Sequence, residues 1–144
     1  GLDPRNQTTP FELAHMASHA AQYPLIRSYS TDKNETFFKD GKELAFKNTN
    51  AVVRDQQWPS LWLSKTGFTQ EAGRCVTMMG RLADRDITVV LMAGVSSAAR
   101  TMDIRRIQHW LDGQQFDLPA TVLKKVKHVS NESKRKRHKN HKRT

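Results

Sequence analysis

The 144 residues carry 24 Lys and Arg against 14 Asp and Glu, a formal net charge of +10, and 37% are apolar. That size allows one domain or part of one. The longest apolar stretches, Ile87–Val95 and Leu61–Leu63, fall far short of the roughly 20 residues that a membrane-spanning helix requires. Cys75 is single, which excludes an internal disulfide framework and a multi-cysteine zinc site.

A charge of +10 first points to nucleic acid or another polyanion as partner. Its location changes that reading. Residues Lys124–Thr144 hold ten Lys and Arg against Glu132 alone, a net of +9, whereas Gly1–Leu123 is nearly neutral at +1. The tail has no aromatic residue and, apart from two valines, no apolar content. It cannot bury enough apolar surface to offset the entropy of ordering and is predicted to be disordered. Two domain-level segments follow: a folded body over 1–123 and a basic tail over 124–144. The tail is either simply solvated or loosely attracted to an anionic membrane or polymer. Without base-stacking aromatics, no nucleic-acid partner is expected. A non-enzymatic basic protein held to nucleic acid or an anionic polymer through this tail remains the alternative reading.

In chain order, Thr9-Pro10-Phe11-Glu12 is a capping box with proline at the first helical position. It predicts a helix to about Tyr23, ended by Pro24. His15 and His19 lie four apart on it, but Met16 stands where a metalloprotease needs Glu, and no metal site is expected. Glu35–Asn48 reads as a hairpin around Asp40-Gly41, followed by loops at Asn48-Thr49-Asn50 and Asp55–Pro59. Leu61 opens a strand running to Gly67. Two more are predicted at Arg74–Arg81 and Asp86–Gly94, joined by Leu82-Ala83-Asp84-Arg85. The apolar run Ile87–Ala93 predicts burial on both faces. Ser96–Asp112 is helix-like, with Met102, Ile104, Ile107, Trp110 and Leu111 as core candidates, and Trp58 and Trp62 read as core or loop anchors. The fold class is α+β, an antiparallel sheet flanked by helices.

The informative segment is Lys65-Thr66-Gly67-Phe68-Thr69-Gln70-Glu71-Ala72-Gly73, at the end of one predicted strand and before another. Lys-Thr-Gly alone is common. In this setting it resembles the third motif of the serine penicillin-recognising enzymes. Gly1–Asn6, Gln22–Ile26, Phe46–Asn50 and Lys65–Cys75 extend the resemblance over residues 1–112, to the low-molecular-mass penicillin-binding proteins and, among them, the D-alanyl-D-alanine endopeptidase branch. The resemblance implies the later part of a β-lactamase/transpeptidase-like fold. It implies acyl-enzyme hydrolysis of peptidoglycan stem peptides in the periplasm, by endopeptidase or carboxypeptidase action, with acylation by β-lactams and no cofactor.

The same resemblance assigns roles. Lys65 supplies positive charge at the reacting centre. Thr66 offers its hydroxyl to the substrate carboxylate, and Gly67 lets ligand approach the strand closely. The backbone N–H of Phe68 is one oxyanion-hole donor. Arg100, 35 residues after Lys65, matches an arginine that grips the terminal carboxylate; otherwise it reads as a surface arginine near a helix N-terminus. Thr69 either supports the strand end or is a turn residue, and Cys75 reads as a small buried apolar residue rather than a nucleophile.

The family's nucleophile sits in Ser-x-x-Lys and its proton relay in Ser-x-Asn, both ahead of Lys-Thr-Gly. A formal Ser-x-x-Lys at Ser133–Lys136 lies in the tail, on the wrong side, and Ser-x-Asn does not occur. With 64 residues before Lys65, the expectation is a C-terminal portion, inactive alone, whose catalytic serine comes from an N-terminal fragment of the same protein.

Overall fold

Thr9 begins the first helix as its pattern requires. In the computed structural model, which describes residues 2, 3 and 5–113, α1 spans Pro10–Ala20. The Thr9 N–H donates to Glu12 Oε2 at 2.7 Å, and the Glu12 N–H donates to Thr9 Oγ1 at 3.2 Å. Chain-end donors that the helix itself cannot satisfy are thereby paired. The Thr9 N–H first, then the Thr9 and Thr8 hydroxyls, hold the Glu12 carboxyl below its ordinary pKa. The basic tail and residues 114–123 of the expected body lie outside the described residues.

Pro24 does more than stop α1. After an extended Tyr23 it occupies the first position of a second helix, α2 (Pro24–Thr31). That position tolerates proline because its N–H would have no helical partner anyway. The sequence reading missed α2 because Ser28-Tyr29-Ser30-Thr31 holds weak helix formers; packing of α2 against a strand overrides that preference. The hairpin forms as expected, β1 (Asn34–Lys39) with β2 (Lys42–Lys47), around Asp40 and Gly41, both at positive φ. Phe37 and Phe46 stack across it, ring centres 4.9 Å apart. Between Asn48-Thr49-Asn50 and Asp55–Pro59, both read as loop, lies a short helix, α3 (Ala51–Arg54), capped by the Asn50 side chain.

Strands β3 (Leu61–Thr69), β4 (Gly73–Leu82) and β5 (Arg85–Gly94) form an antiparallel sheet in that order. Helix α4 (Ser97–Leu111) packs on β4 and β5, as α1 does, while α2 packs on β3. Val76 and Met78 of β4, Val89 of β5, Ile104 of α4, and Val52 and Trp58 from the α3 region make one buried cluster. Trp58 also donates its ring N–H to the Arg81 carbonyl at 2.7 Å, tying its loop to the end of β4.

Three burial expectations change. Along β5, Val89 alone is buried, and Ile87, Val90, Leu91 and Met92 are half-buried, because β5 is an outer strand among the described residues. Trp110 is 76% exposed rather than core: it lies six residues past Ile104, about 120° round the helix from the buried stripe. Trp62 is half-buried under the Arg27 guanidinium, 5.4 Å from its ring centre, and Cys75 is half-buried rather than buried.

Gly80 sits where β4 crosses the entry to β3. A Cβ there would meet the Ser60 carbonyl oxygen at 2.4 Å and Leu61 Cα at 2.8 Å, both backbone atoms. Gly80→Ala is therefore expected to cost about 1–3 kcal/mol, read as a lower denaturation midpoint. In acid, Glu12 gives a second observable. Its folded pKa is depressed, so its contribution to the α1 start is complete above the ordinary glutamate pKa and disappears as the pH falls through the lower folded value. An NMR titration should show the Thr9 amide shifting with that lowered midpoint.

Candidate active site

β3 passes from buried to open along its length. Leu63 and Ser64 are buried, Lys65, Gly67 and Phe68 are exposed, and Thr66 is half-buried. The change comes where α2 and the loop after β2 give way to a groove of about 460 Å³. Leu25, Ile26 and Tyr29 of α2 form one side of it, and Thr49, Lys65 and Thr66 are among the residues lining the rest. The Lys65 ammonium donates to the Thr66 carbonyl. Thr66 Oγ1 lies 2.5 Å from Thr49 Oγ1.

A polar network beneath the groove fixes this stretch. Asn50 is fully buried; its amide N–H donates to Ser64 Oγ at 2.9 Å and to Met78 Sδ at 3.2 Å, and its side-chain oxygen accepts the Val52 N–H. Asn48 accepts the Asn50 N–H and donates to the Ser30 and Asp32 carbonyls, and Ser30 Oγ accepts the Ser64 N–H at 3.3 Å. The loop, the end of α2 and the residue before Lys65 are thus tied together. The sequence reading treated Asn48–Asn50 as plain loop. The available signal was two asparagines bracketing one residue just before an apolar run, a turn-and-cap pattern.

Ser30-Thr31-Asp32-Lys33 is a Ser-x-x-Lys ahead of Lys65 that the sequence reading did not pick out. Its geometry is not that of an activated nucleophile. α2 ends at Thr31 and Asp32 is extended, so Lys33 does not follow Ser30 by one helical turn.

Gly67 faces open space. A Cβ built there would meet nothing within 4 Å, and its φ is not positive, so neither packing nor backbone strain among the described residues demands glycine. Phe68 is half exposed, with the Arg74 guanidinium 4.4 Å from its ring centre on the neighbouring strand. Thr69 Oγ1 accepts the Ala72 N–H at 3.0 Å, a turn role, across the β3–β4 connection.

Arg100 fits neither sequence reading in full. It is not a surface arginine: it is 4% exposed at the start of α4. Nor does it line the groove of Lys65 and Thr66. It donates from Nη1 to the carbonyl of Cys75, the residue paired with Gly67, at 3.0 Å, and its buried Nε has no hydrogen-bond partner among the described residues. Burial first, then the nearby Arg74 charge, lowers its pKa. The structure therefore sets Lys65, Thr66 and Gly67 on one open strand and Arg100 one strand inward. The Arg74 charge lies near Arg100, and Lys65 stands exposed on β3.

Comparison with known proteins identifies the family. A family model described as D-alanyl-D-alanine carboxypeptidase matches residues 1–96. The chain is 32% identical to the D-alanyl-D-alanine endopeptidase of Pseudomonas aeruginosa over 125 residues and to that of Escherichia coli K12 over 126, in each case covering 85% of this chain and 40% of the relative. Among solved structures, the Streptomyces K15 DD-transpeptidase superposes with a TM-score of 0.63 at 24% identity, over 74% of this chain and 42% of that one. The fold is thus the α+β fold expected. The chain belongs to the D-alanyl-D-alanine carboxypeptidase family, among the low-molecular-mass penicillin-binding proteins. It spans less than half the length of the relatives it matches.

Asn50→Ala would remove both the α3 cap and the buried partner of Ser64. Unfolding measurements should register a loss of about 2–3 kcal/mol.

Proposed function

We propose that these residues form the substrate-binding side of a serine D,D-peptidase that cleaves D-alanyl bonds in peptidoglycan stem peptides and is acylated by β-lactams. Membership of the family carries the reaction class, and the cationic, open strand carries the assignment of residues. A substrate of this kind presents an extended peptide, a scissile carbonyl and a carboxylate. The extended backbone pairs with the outer edge of β3, which has no further strand beside it among the described residues. Gly67 supports this pairing, because its bare Cα leaves room for ligand where the fold itself needs none.

Thr66 offers its hydroxyl to the carboxylate, and Lys65 contributes positive charge next to the reacting centre. The Phe68 N–H serves as one donor to the oxyanion. Arg100 acts from beneath. A buried guanidinium with an unpartnered Nε and a depressed pKa has an unmet demand for negative charge, which an arriving carboxylate would satisfy. The nucleophilic serine and its proton relay are supplied by residues outside these 144, since the Ser-x-x-Lys at Ser30 lacks the helical geometry. The setting is the periplasm, where the basic tail makes loose contact with anionic lipid or wall polymer. Which of endopeptidase and carboxypeptidase action dominates follows from the endopeptidase relatives only as a preference for cross-linked stem peptides.

Labelling with a fluorescent penicillin tests the reading. The full protein containing these residues should be acylated, the isolated 144 residues should not, and Lys65→Ala should slow acylation by about 10²–10³. Absence of labelling in the full protein, or labelling of the isolated chain, would overturn it.

A further inference from the structure

Thr66 and Thr49 share one short hydrogen bond, and either hydroxyl can be its donor. A hydroxyl has one proton and two acceptor positions. If Thr66 donated to Thr49, its proton would be taken up in that bond and not be free for a ligand. If Thr49 donates, Thr66 is left with its proton free and its oxygen already polarised. The bond also selects the Thr66 rotamer, because a β-branched side chain whose hydroxyl is held on one side must place its methyl elsewhere.

Thr49 is well held for this task. It stands between Asn48 and Asn50, and the side chains of both are anchored: Asn48 to the Ser30 and Asp32 carbonyls, Asn50 to Ser64 in the buried layer. Its own side chain is exposed at the groove and touches β3 through Thr66.

We propose that Thr49 is a positioning residue for substrate: it donates to Thr66 Oγ1 and so directs the Thr66 proton to the substrate carboxylate. This rests on the peptidase reading above and adds to it a residue far from the Lys-Thr-Gly segment in sequence. An anionic acceptor drives the pair into this one arrangement, since a hydrogen bond to a carboxylate is stronger than one between two hydroxyls.

The test uses the full protein and the concentration dependence of its acylation by penicillin. Thr49→Val keeps the shape and removes the donor. It should raise the half-saturating penicillin concentration about tenfold, with a much smaller change in the limiting rate and an unchanged melting temperature. Thr49→Ser should restore the wild-type value. In a Thr66→Val background, Thr49→Val should have no further effect, because its partner is gone. Wild-type behaviour of Thr49→Val, additive losses in the double variant, or a fall in melting temperature matched by Thr49→Ser would each overturn the positioning role and leave the peptidase reading standing. Failure of the wild-type protein to be acylated would overturn the peptidase reading itself, and the role of Thr49 with it.

Discussion

The buried amide of Asn50 constrains the site more than any residue in the groove. An amide taken out of water costs free energy unless its donors and acceptor are met inside. Here they are met by three different parts of the chain: Ser64 on β3, Met78 at the centre of β4 and the first turn of α3. All three must therefore sit at one relative position for the amide to be satisfied. Ser64 immediately precedes Lys65. The geometry that satisfies Asn50 is thus the geometry that delivers Lys65 and Thr66 to the open face, with Thr49 opposite Thr66 as a direct consequence.

The sheet takes over beyond that point. Pairing of β3 with β4 sets Gly67 beside Cys75 and Phe68 beside Arg74, and the Cys75 carbonyl receives Arg100 from α4. Arg74 and Arg100 come close together here without a carboxylate hydrogen-bonded to Arg100 among the described residues. For stability alone this is a poor arrangement: burial disfavours the Arg100 charge and Arg74 disfavours it further. The carboxylate of the proposed substrate would offset that local cost.

How much of this the sequence disclosed depended on the range of the interaction. The capping box of α1, the Asp40-Gly41 turn and the strands around Lys65 were legible because their determinants lie within a few residues of one another. α2 was not, because its second half, Ser28–Thr31, holds weak helix formers and the packing that stabilises it comes from β3. Trp110 was misjudged because its helix buries a single stripe whose orientation is set by β4 and β5. The Ser-x-x-Lys at Ser30 shows the converse. Its spacing matches a chemical motif, but the end of α2 falls between its two members.

By itself, the sequence determined the class of fold, the strand that bears Lys-Thr-Gly, the family resemblance and the separation of a near-neutral body from a strongly basic tail. Each of these is written in local pattern, spacing or composition. Tertiary structure decided that Arg100 lies buried beneath β4 instead of in the groove, that Gly67 is free of any packing need for glycine, and that Thr49 meets Thr66 across 17 residues of chain. Those facts arise from which surfaces exclude water and which buried polar atoms must find partners. Such demands are met by residues distant in sequence, so no local pattern records them.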